Sequence, residues 1–351
     1  SINSSSGVLA FNIAPDYETK SSYSATVTSS DGTNSSTQDI TITITDVDDT
    51  APTFTSGATF SGAENQTSIG TVTATDTDTD DSSIVFSISG FELAITSGGV
   101  LTFVSAPDYE TKTSYTATVT ASDGTNSATQ DITVNVTNLN DNTPSITSSA
   151  TFSAAENQTS IGTVTATDAD GDTLSYSLSG ADASSMSINS NSGVLTFKSA
   201  PDYETKTTYT ATVTASDGTN STTQDITVNV TNVNDNSPSI TSSSTFSATE
   251  NQTSIGTVTA TDEDGDTIGF SLSRTDASSM SINSSSGVLT FNSAPDYETK
   301  SSYSATVTAS DGTNSTSQTI TVTIVDVDDV APVFTSNATF SAAENQTSMA
   351  P

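Results

Sequence analysis

The chain contains no cysteine, no histidine and no tryptophan, and only 6 lysines and arginines stand against 41 aspartates and glutamates. Without Cys or His there is no disulfide, no thiolate or imidazole metal site, and no Ser-His-Asp or Cys-His catalytic pair. A net charge of −35 repels phosphate, which excludes nucleic acid and an anionic membrane surface as electrostatic partners. Long apolar runs are lacking too: none approaches the ~18 residues that span a bilayer. Bulky apolar residues are scarce, with Leu, Ile, Val and Phe at about 19% of 351 residues, just under the ~20% at which a highly charged chain tends to disorder. Either the chain is disordered, or something besides apolar burial stabilises it, such as cations that cancel the charge.

What is present is repetition. Pro-Asp-Tyr-Glu-Thr-Lys begins at Pro15, Pro107, Pro201 and Pro295, and Glu-Asn-Gln-Thr-Ser begins at Glu64, Glu156, Glu250 and Glu344, both with spacings of 92, 94 and 94. A period of that size is a whole domain, so the expectation is a tandem array of sandwich-sized units. The expected divisions are 1–50, the C-terminal part of a unit; 51–142, 143–236 and 237–330, three full units; and 331–351, the first strand of a following one. The array starts and stops within a repeat. That is expected either of a fragment of a longer chain or of head-to-tail assembly, in which Ala338 to Ser348 donates a strand to a neighbouring copy.

Inside each unit apolar residues alternate with Thr or Ser at period two, the pattern of a strand with one buried face. Ile132, Val134 and Val136 make one such face, and Tyr209, Ala211, Val213 and Ala215 another. Short runs of this kind, broken by Ser-Asp-Gly-Thr, Asp-Gly-Asp and Asn-Ser-Gly turns, predict an all-β fold: antiparallel Greek-key sandwiches of about seven strands in an elongated rod. Ser and Thr make up roughly two-fifths of the chain, and rows such as Thr41, Thr43, Thr45 and Thr71, Thr73, Thr75 suit the solvated face of a strand.

The acids gather at five places in each repeat: the Glu of Ala-Glu-Asn, the Asp-Tyr-Glu pair, an Asn/Asp-rich run before Pro, an Asp-x-Asp turn and Ser-Asp-Gly. Loops of a sandwich cluster at its two poles, so these places meet across the joint between neighbouring units. Between the second and third units that gathers Glu64, Asp108, Glu110, Asp141, Asp168, Asp170 and Asp217. Carboxylates ~4 Å apart repel by about 1 kcal/mol in water and up to about 4 near a protein surface, so a cation is needed to close the joint. An oxygen-only set suits a hard cation with six to eight ligands, calcium ahead of magnesium. An EF-hand is ruled out, because Gly171 falls at the fourth loop position and Ser179 at the twelfth.

Ala155-Glu156-Asn157, Pro201-Asp202-Tyr203-Glu204, Ala215-Ser216-Asp217 and Asn232-Val233-Asn234-Asp235-Asn236-Ser237-Pro238 resemble the ordered calcium motifs of cadherin repeats. So do the Tyr-Ser-Leu, Ser-Ile-Asn, Ser-Gly-Val-Leu and Tyr-x-Ala-x-Val-x-Ala segments of the third unit. The likeness extends over essentially the whole chain, and its Thr-rich, Cys-free style is similar to the repeats of giant bacterial surface proteins. The resemblance implies two or three calcium ions per joint. The first joint would draw on Asp16, Glu18, Asp48 and Asp49 with Asp76, Asp78 and Asp123. The second would use Glu64, Asp108, Glu110, Asn140, Asp141 and the carbonyl of Asn142, with Asp168, Asp170 and Asp217. The third would use Glu156, Asp202, Glu204, Asn234, Asp235 and Asn236 with Asp262, Asp264 and Asp311. A half-joint remains in Glu250, Asp296, Glu298, Asp328 and Asp329.

This sequence departs from the family pattern in three ways. Thr50 and Val330 replace the last linker Asn, where a backbone carbonyl serves. The turn Gly171-Asp172-Thr173 is short and lacks the stretch that lends another carbonyl, so the outermost ion depends on Asp172 or Asp266 standing in. The first joint lacks the Ala-Glu-Asn glutamate, which would precede Ser1.

The functional expectation is a calcium-rigidified extracellular stalk or fibre, secreted to the cell surface and serving adhesion or a structural filament, and not an enzyme. Its partners would be calcium, at the ~10⁻⁴ to 10⁻³ M typical of extracellular modules, and neighbouring repeats or head-to-tail copies. Any surface receptor or glycan would be met by regions outside this sequence. The alternative is a polysaccharide-binding or glycan-acting module using paired carboxylates, against which stand the absent Trp and an aromatic content of 6%.

Overall fold

Where the sequence alternates, the chain is strand. In the computed structural model, which describes residues 1–78, 83–336, 338, 339, 341, 342, 344 and 347, the apolar positions expected to share faces are buried. Ala211, Val213 and Ala215 lie inside along Thr208–Ser216, and Ile226, Val228 and Val230 along Ser221–Thr231. The Thr rows at 41, 43, 45 and 71, 73, 75 are exposed. The segment Ala338 to Ser348, expected to be a donated strand, includes Phe340, Ala343, Asn345, Gln346 and Ser348, which lie outside the described residues.

The unit around residues 143–236 shows the architecture. One sheet has four strands in the order Thr151–Ala155, Ser221–Thr231, Thr208–Ser216, Ser175–Ser179; the other has three, Ser160–Thr163, Val194–Phe197, Met186–Ile188. A single core joins them, with Val213, Ile226 and Val228 from the first sheet against Ile161, Met186, Leu195 and Phe197 from the second. A short pair, Ser145–Ile146 with Ala166–Thr167, closes one end. The preceding and following units repeat these sheets strand for strand. Each of the three cores consists of 11 buried apolar side chains, so a chain at the compositional edge of disorder still gathers its few large residues into one cluster per unit. Two single 3₁₀ turns, Ala183–Ser185 and Ala277–Ser279, occupy equivalent places in successive units.

One pairing differs from the antiparallel expectation, and it explains the rod. Thr151–Ala155 runs parallel to the last strand, with Thr151 opposite Thr227 and Ala155 opposite Thr231; Thr59–Ala63 and Thr245–Thr249 do the same. A first and last strand that point the same way make the chain enter a unit at one pole and leave at the other. Successive units therefore meet pole to pole.

A repeated aromatic contact ties the middle strand of the second sheet to the first sheet. Phe197 meets Tyr209 edge-on at 4.9 Å, and Lys206 Nζ sits 4.6 Å from the Tyr209 ring while pairing with Asp182 at 2.5 Å. This chain's few cations are thus used inside units, in Lys112–Glu92, Lys206–Asp182 and Lys300–Asp276.

Arg274 is out of place in its turn. It holds φ 78°, where the two preceding units have Gly90 and Gly180 at 87° and 99°. A left-handed non-glycine residue with no compensating side-chain bond costs about 1–2 kcal/mol. We expect Arg274→Gly to raise the stability of its unit by about 1 kcal/mol, and a thermal midpoint unchanged or lowered would refute the assignment of strain.

Candidate metal centres at the junctions

Each unit's exit pole is organised by one glutamate. The left-handed backbone of Asn157, φ 60°, turns the chain immediately after Glu156 at the end of its strand; Asn tolerates that conformation better than most residues. Glu156 is only 2% exposed. Its Oε2 accepts the Tyr203 N–H at 2.8 Å and its Oε1 the Val233 N–H at 2.6 Å. One carboxylate thereby ties together the strand end, the Asp-Tyr-Glu turn and the departing linker, and these two bonds are what allow a charge to be buried there. Glu64 does the same with Tyr109 and Leu139, and Glu250 with Tyr297 and Val327. The asparagine that follows also reaches the linker: Asn157 donates to Asp235, Asn65 to Asp141, and Asn251 to Asp329.

From there the linker meets the entry pole of the next unit. At the second junction Asp141 N–H and Asn142 N–H both donate to Asp170 Oδ2, at 3.1 and 2.8 Å, and Asn142 Nδ2 donates to Asp170 Oδ1 at 2.9 Å and to Glu110 Oε2 at 3.3 Å. Asn138 donates to the Asp170 carbonyl. At the third junction Asp235, Asn236 and Asn232 repeat this on Asp264, with Asn236 also on Glu204. From the opposite side Asn220 holds Asn140 Oδ1 and the Asn142 carbonyl, each at 3.2 Å, and Asn314 holds Asn234 and Asn236 likewise.

The ligands expected from different segments do converge. Single carboxylate oxygens of Glu64, Glu110, Asp141 and Asp170 lie within 4.8 Å of one another, as do those of Glu156, Glu204, Asp235 and Asp264. Glu250, Asp296 and Glu298 group at the last exit pole. At the first junction Glu18 and Asp78 meet Asp46, and Asp78 is held by Asp49 N–H and by the amide and hydroxyl of Thr50. Asp48 accepts from Asn126.

Other expected ligands are engaged elsewhere or lie outside these groups. Asp16, Asp108 and Asp202 each hold the Thr three residues on within their own turn, as Asp108 Oδ1 and Oδ2 do with Thr111 at 3.1 and 3.0 Å; Asp296 holds Thr299 in the same way while grouped with Glu250 and Glu298. Asp328 is exposed. Asp76 Oδ1 accepts the Asp78 N–H. Asp123, Asp217 and Asp311 each close the Ser-Asp-Gly-Thr-Asn turn with Oδ1.

Sequence reasoning missed Asp46, and it missed the tie formed by Asn126, Asn220 and Asn314. The signal was available: Asp46 stands where the later linkers have Asn138 and Asn232, and each tying Asn comes three residues after the Asp of Ser-Asp-Gly.

Crowding splits the carboxyls into two groups. Desolvation, the largest effect, raises Glu110, helped by the charges of Glu64 and Asp170, and raises Glu204 beside Glu156 and Asp264. The Asn142 amide and the linker N–H groups lower Asp170, and the Thr50 hydroxyl and amide lower Asp78. At the first junction the Glu18 backbone amide pulls its carboxyl down. Desolvation, shared bonds with Asp78 and Asp16, and the Asp78 charge outweigh it and push it up to about 7. A raised acid contributes stability that is complete below its unfolded value of 4.5 and is lost as pH rises through about 7. Lowered acids such as Asp78 act in the opposite sense, with a contribution present above 3.8 and lost as pH falls through their lower folded values. Free of cations, the first junction is therefore expected to hold best just above pH 4 and to loosen towards neutrality. Proteolysis in EDTA should cut near residues 45–50 faster at pH 8 than at pH 5; equal rates would refute this.

The donor set fits a hard divalent cation. It is all oxygen, and several of its atoms are enclosed with no hydrogen-bond donor: Asp78 Oδ1 and Asp123 Oδ2 at the first junction, Asp168 Oδ2 and Asp217 Oδ2 at the second, Asp262 Oδ2 and Asp311 Oδ2 at the third. Enclosed acceptors of this kind need a partner, and no lysine or arginine forms an ion pair at these clusters among the described residues.

Tandem sandwiches joined pole to pole by acidic linkers define a class of repeat protein. The chain matches the Cadherin domain family over residues 58–137, 150–231 and 244–325 and belongs to it. It is 34% identical over 150 residues to the mouse (Mus musculus) Cadherin EGF LAG seven-pass G-type receptor 1, covering 39% of this chain and 5% of that protein's length. Among solved structures it is similar to protocadherin gammaB7 EC3-6, with TM-score 0.67 and 25% identity over 89% of this chain and 86% of that one. Mouse Cadherin-23 EC22-24, at 24% identity and TM-score 0.59 over 80% of this chain and all of that one, shares the fold. Cadherin domains are typically extracellular, structural adhesion modules that bind calcium at the junctions between repeats, and the acidic clusters of this chain lie at its junctions. No helix among the described residues is long and apolar enough to cross a membrane.

Proposed function

We propose that this chain is a calcium-rigidified extracellular stalk or fibre segment that acts as a spacer in cell-surface adhesion or as a structural filament. Its full units span 51–142, 143–236 and 237–330, with 1–50 and 331–351 belonging to the flanking repeats. The observation that carries this reading is the set of enclosed, donor-free carboxylate oxygens at all three junctions, beside clusters that mix exit-pole and entry-pole acids. Calcium would be held at the second junction by Glu64, Glu110, Asp141 and Asp170, with Asp168 and Asp217 on the entry side, and by the corresponding residues at the others. The cation supplies the positive charge that lets these acids stay together, and the linker hydrogen bonds orient them. The Thr-rich, Cys-free composition supports a likeness to the repeats of giant bacterial surface proteins. No contact described above favours the glycan-acting alternative.

Small-angle scattering on the whole chain tests this reading. In millimolar calcium the maximum dimension should be that of an extended rod. EDTA should broaden the distance distribution and expose the linkers at 45–50, 137–142 and 231–236 to protease. A scattering curve unchanged by EDTA overturns the proposal.

A further inference from the structure

We propose that Asn126, Asn220 and Asn314 form a latch between units that needs no cation: each reaches out of its own sandwich and grips the linker that leads into it. The latch does not rest on the calcium reading of the junctions, because every bond in it is a direct N–H···O contact within the chain.

Asn220 lies at the tip of the hairpin between Thr208–Ser216 and Ser221–Thr231. Gly218 turns the chain there with φ 98°. Asp217 Oδ1 takes the N–H groups of Thr219 and Asn220 at 2.7 and 2.6 Å, the Ser216 hydroxyl donates to the Asn220 carbonyl at 2.9 Å, and the Gly218 N–H donates to that hydroxyl at 3.2 Å. The backbone groups of Asn220 are thus committed within the turn, which leaves the side-chain amide for a partner outside it. Nδ2 donates to Asn140 Oδ1 and to the Asn142 carbonyl, both 3.2 Å away on the preceding linker. Asn314 repeats this on Asn234 Oδ1 and the Asn236 carbonyl at 3.0 and 3.2 Å, and Asn126 holds Asp48 Oδ1 and the Asp48 carbonyl at 3.2 and 3.3 Å.

The turn does not need the linker for its shape. Ser30–Asn34 of the first unit makes the same four bonds around Gly32 at φ 95°. Asn34 is exposed there, whereas Asn126, Asn220 and Asn314 are half-buried. The asparagine is therefore presented in advance, and docking a linker against it costs less ordering than a flexible donor would require.

Position turns this grip into a latch. The Leu139 N–H is fixed to Glu64 of the unit behind, and the Asn142 carbonyl is fixed to Asn220 of the unit ahead. Three residue steps separate these anchors, a reach of at most about 11 Å, so the two bonds together keep the poles adjacent. A second turn of the same unit is engaged as well, since the Asn138 amide holds the Asp170 carbonyl at 2.8 Å. A linker held at one point pivots; one gripped by two turns of the same unit is fixed in orientation. Each junction thus has a hold made of amides beside its acidic cluster, and a chelator removes no part of that hold.

Hydrogen exchange on the whole chain in EDTA tests the latch, comparing wild type with Asn220→Ala. The amides of Asp141 and Asn142, both bonded to Asp170, report docking at the second junction. The expected result is protection of residues 138–142 in wild type and exchange about tenfold faster there in the variant, the effect of losing two neutral hydrogen bonds. Residues 45–50, 232–236 and the Thr208–Ser216 amides should keep their wild-type rates. Asn220→Gln retains the amide and should recover part of the protection; Asn220→Asp turns a carboxylate on two acceptors and should recover none. Asn314→Ala should repeat the effect at 232–236, and Asn34→Ala, which alters the same turn where it is exposed, should leave every linker unchanged. Equal exchange at 138–142 in wild type and Asn220→Ala overturns the latch, as does a wild-type linker that exchanges in EDTA at the rate of an unfolded peptide. Acceleration of the Thr208–Ser216 amides to the same degree also overturns it, because Asn220 would then serve its own turn alone. All of these are read without calcium, so their failure leaves the calcium reading standing, and a chain that takes up no calcium leaves the latch standing.

Discussion

Glu156→Ala is expected to destabilise its unit by about 2–4 kcal/mol and to release the linker behind it. Two charge-assisted bonds are lost, and the N–H groups of Tyr203 and Val233 lose their acceptor; such bonds contribute about 1.5–3 kcal/mol each, and an enclosed unsatisfied donor costs about 1–3. Because the Val233 side chain is exposed, water replaces part of that loss, which keeps the total below the sum. Hydrogen exchange of the Thr208–Ser216 amides in the whole chain reads the effect on the unit, and exchange at residues 231–236 reads the release of the linker. Glu156→Gln keeps one acceptor oxygen but turns an NH₂ towards a donor, so it should fall between alanine and wild type. Asp225→Asn, on a strand surface, should stay within about 0.5 kcal/mol. An alanine variant as stable as that control would show that the buried glutamate does not hold the pole together.

The second large effect is that of calcium on unfolding. At ~10 mM calcium, sites with dissociation constants of ~10⁻⁴ to 10⁻³ M each add about 1.4–2.7 kcal/mol to the folded state. Two or three such sites per junction would contribute about 3–8 kcal/mol, comparable with the whole stability of a small domain. The thermal midpoint should climb with the logarithm of calcium concentration. Magnesium should stabilise less, since it demands octahedral geometry and sheds water reluctantly. Sodium chloride at equal ionic strength screens the repulsion but coordinates nothing, and should recover only a fraction. Because Glu18 is held up to about 7 and Glu110 and Glu204 are raised, binding should release protons below pH 7 and weaken as pH falls from 7 to 5. Stabilisation by sodium equal to that by calcium would show that the clusters are simply repelling charge and not coordination sites.

Which residues carry the fold was largely readable along the chain. The alternation at Ile132, Val134 and Val136 is a local property, because side chains on a strand point to opposite faces in turn, and those residues are buried as the pattern required. The five acidic places were equally visible, and the period put Glu64, Asp141 and Asp170 at one joint before any coordinate did. The parallel pairing of Thr151–Ala155 with Ser221–Thr231 was not visible. Pairing between strands some seventy residues apart leaves no local trace in either.

The roles within the acidic set were even less legible. Glu156 and Asp202 are two acids of the same pole, yet one is buried across three segments and the other holds Thr205 in its own turn. Composition treats them alike; only the distance to neighbouring backbone N–H groups separates them. The same holds for Asn220, a turn residue by its sequence context, whose amide crosses to the linker of the preceding unit. By itself the sequence determined strand faces, repeat length and where charge accumulates, because each depends on residue type and short-range order. Tertiary structure alone decided which oxygens are enclosed without a donor and which unit's acids face which, because desolvation and coordination depend on groups brought together from remote parts of the chain.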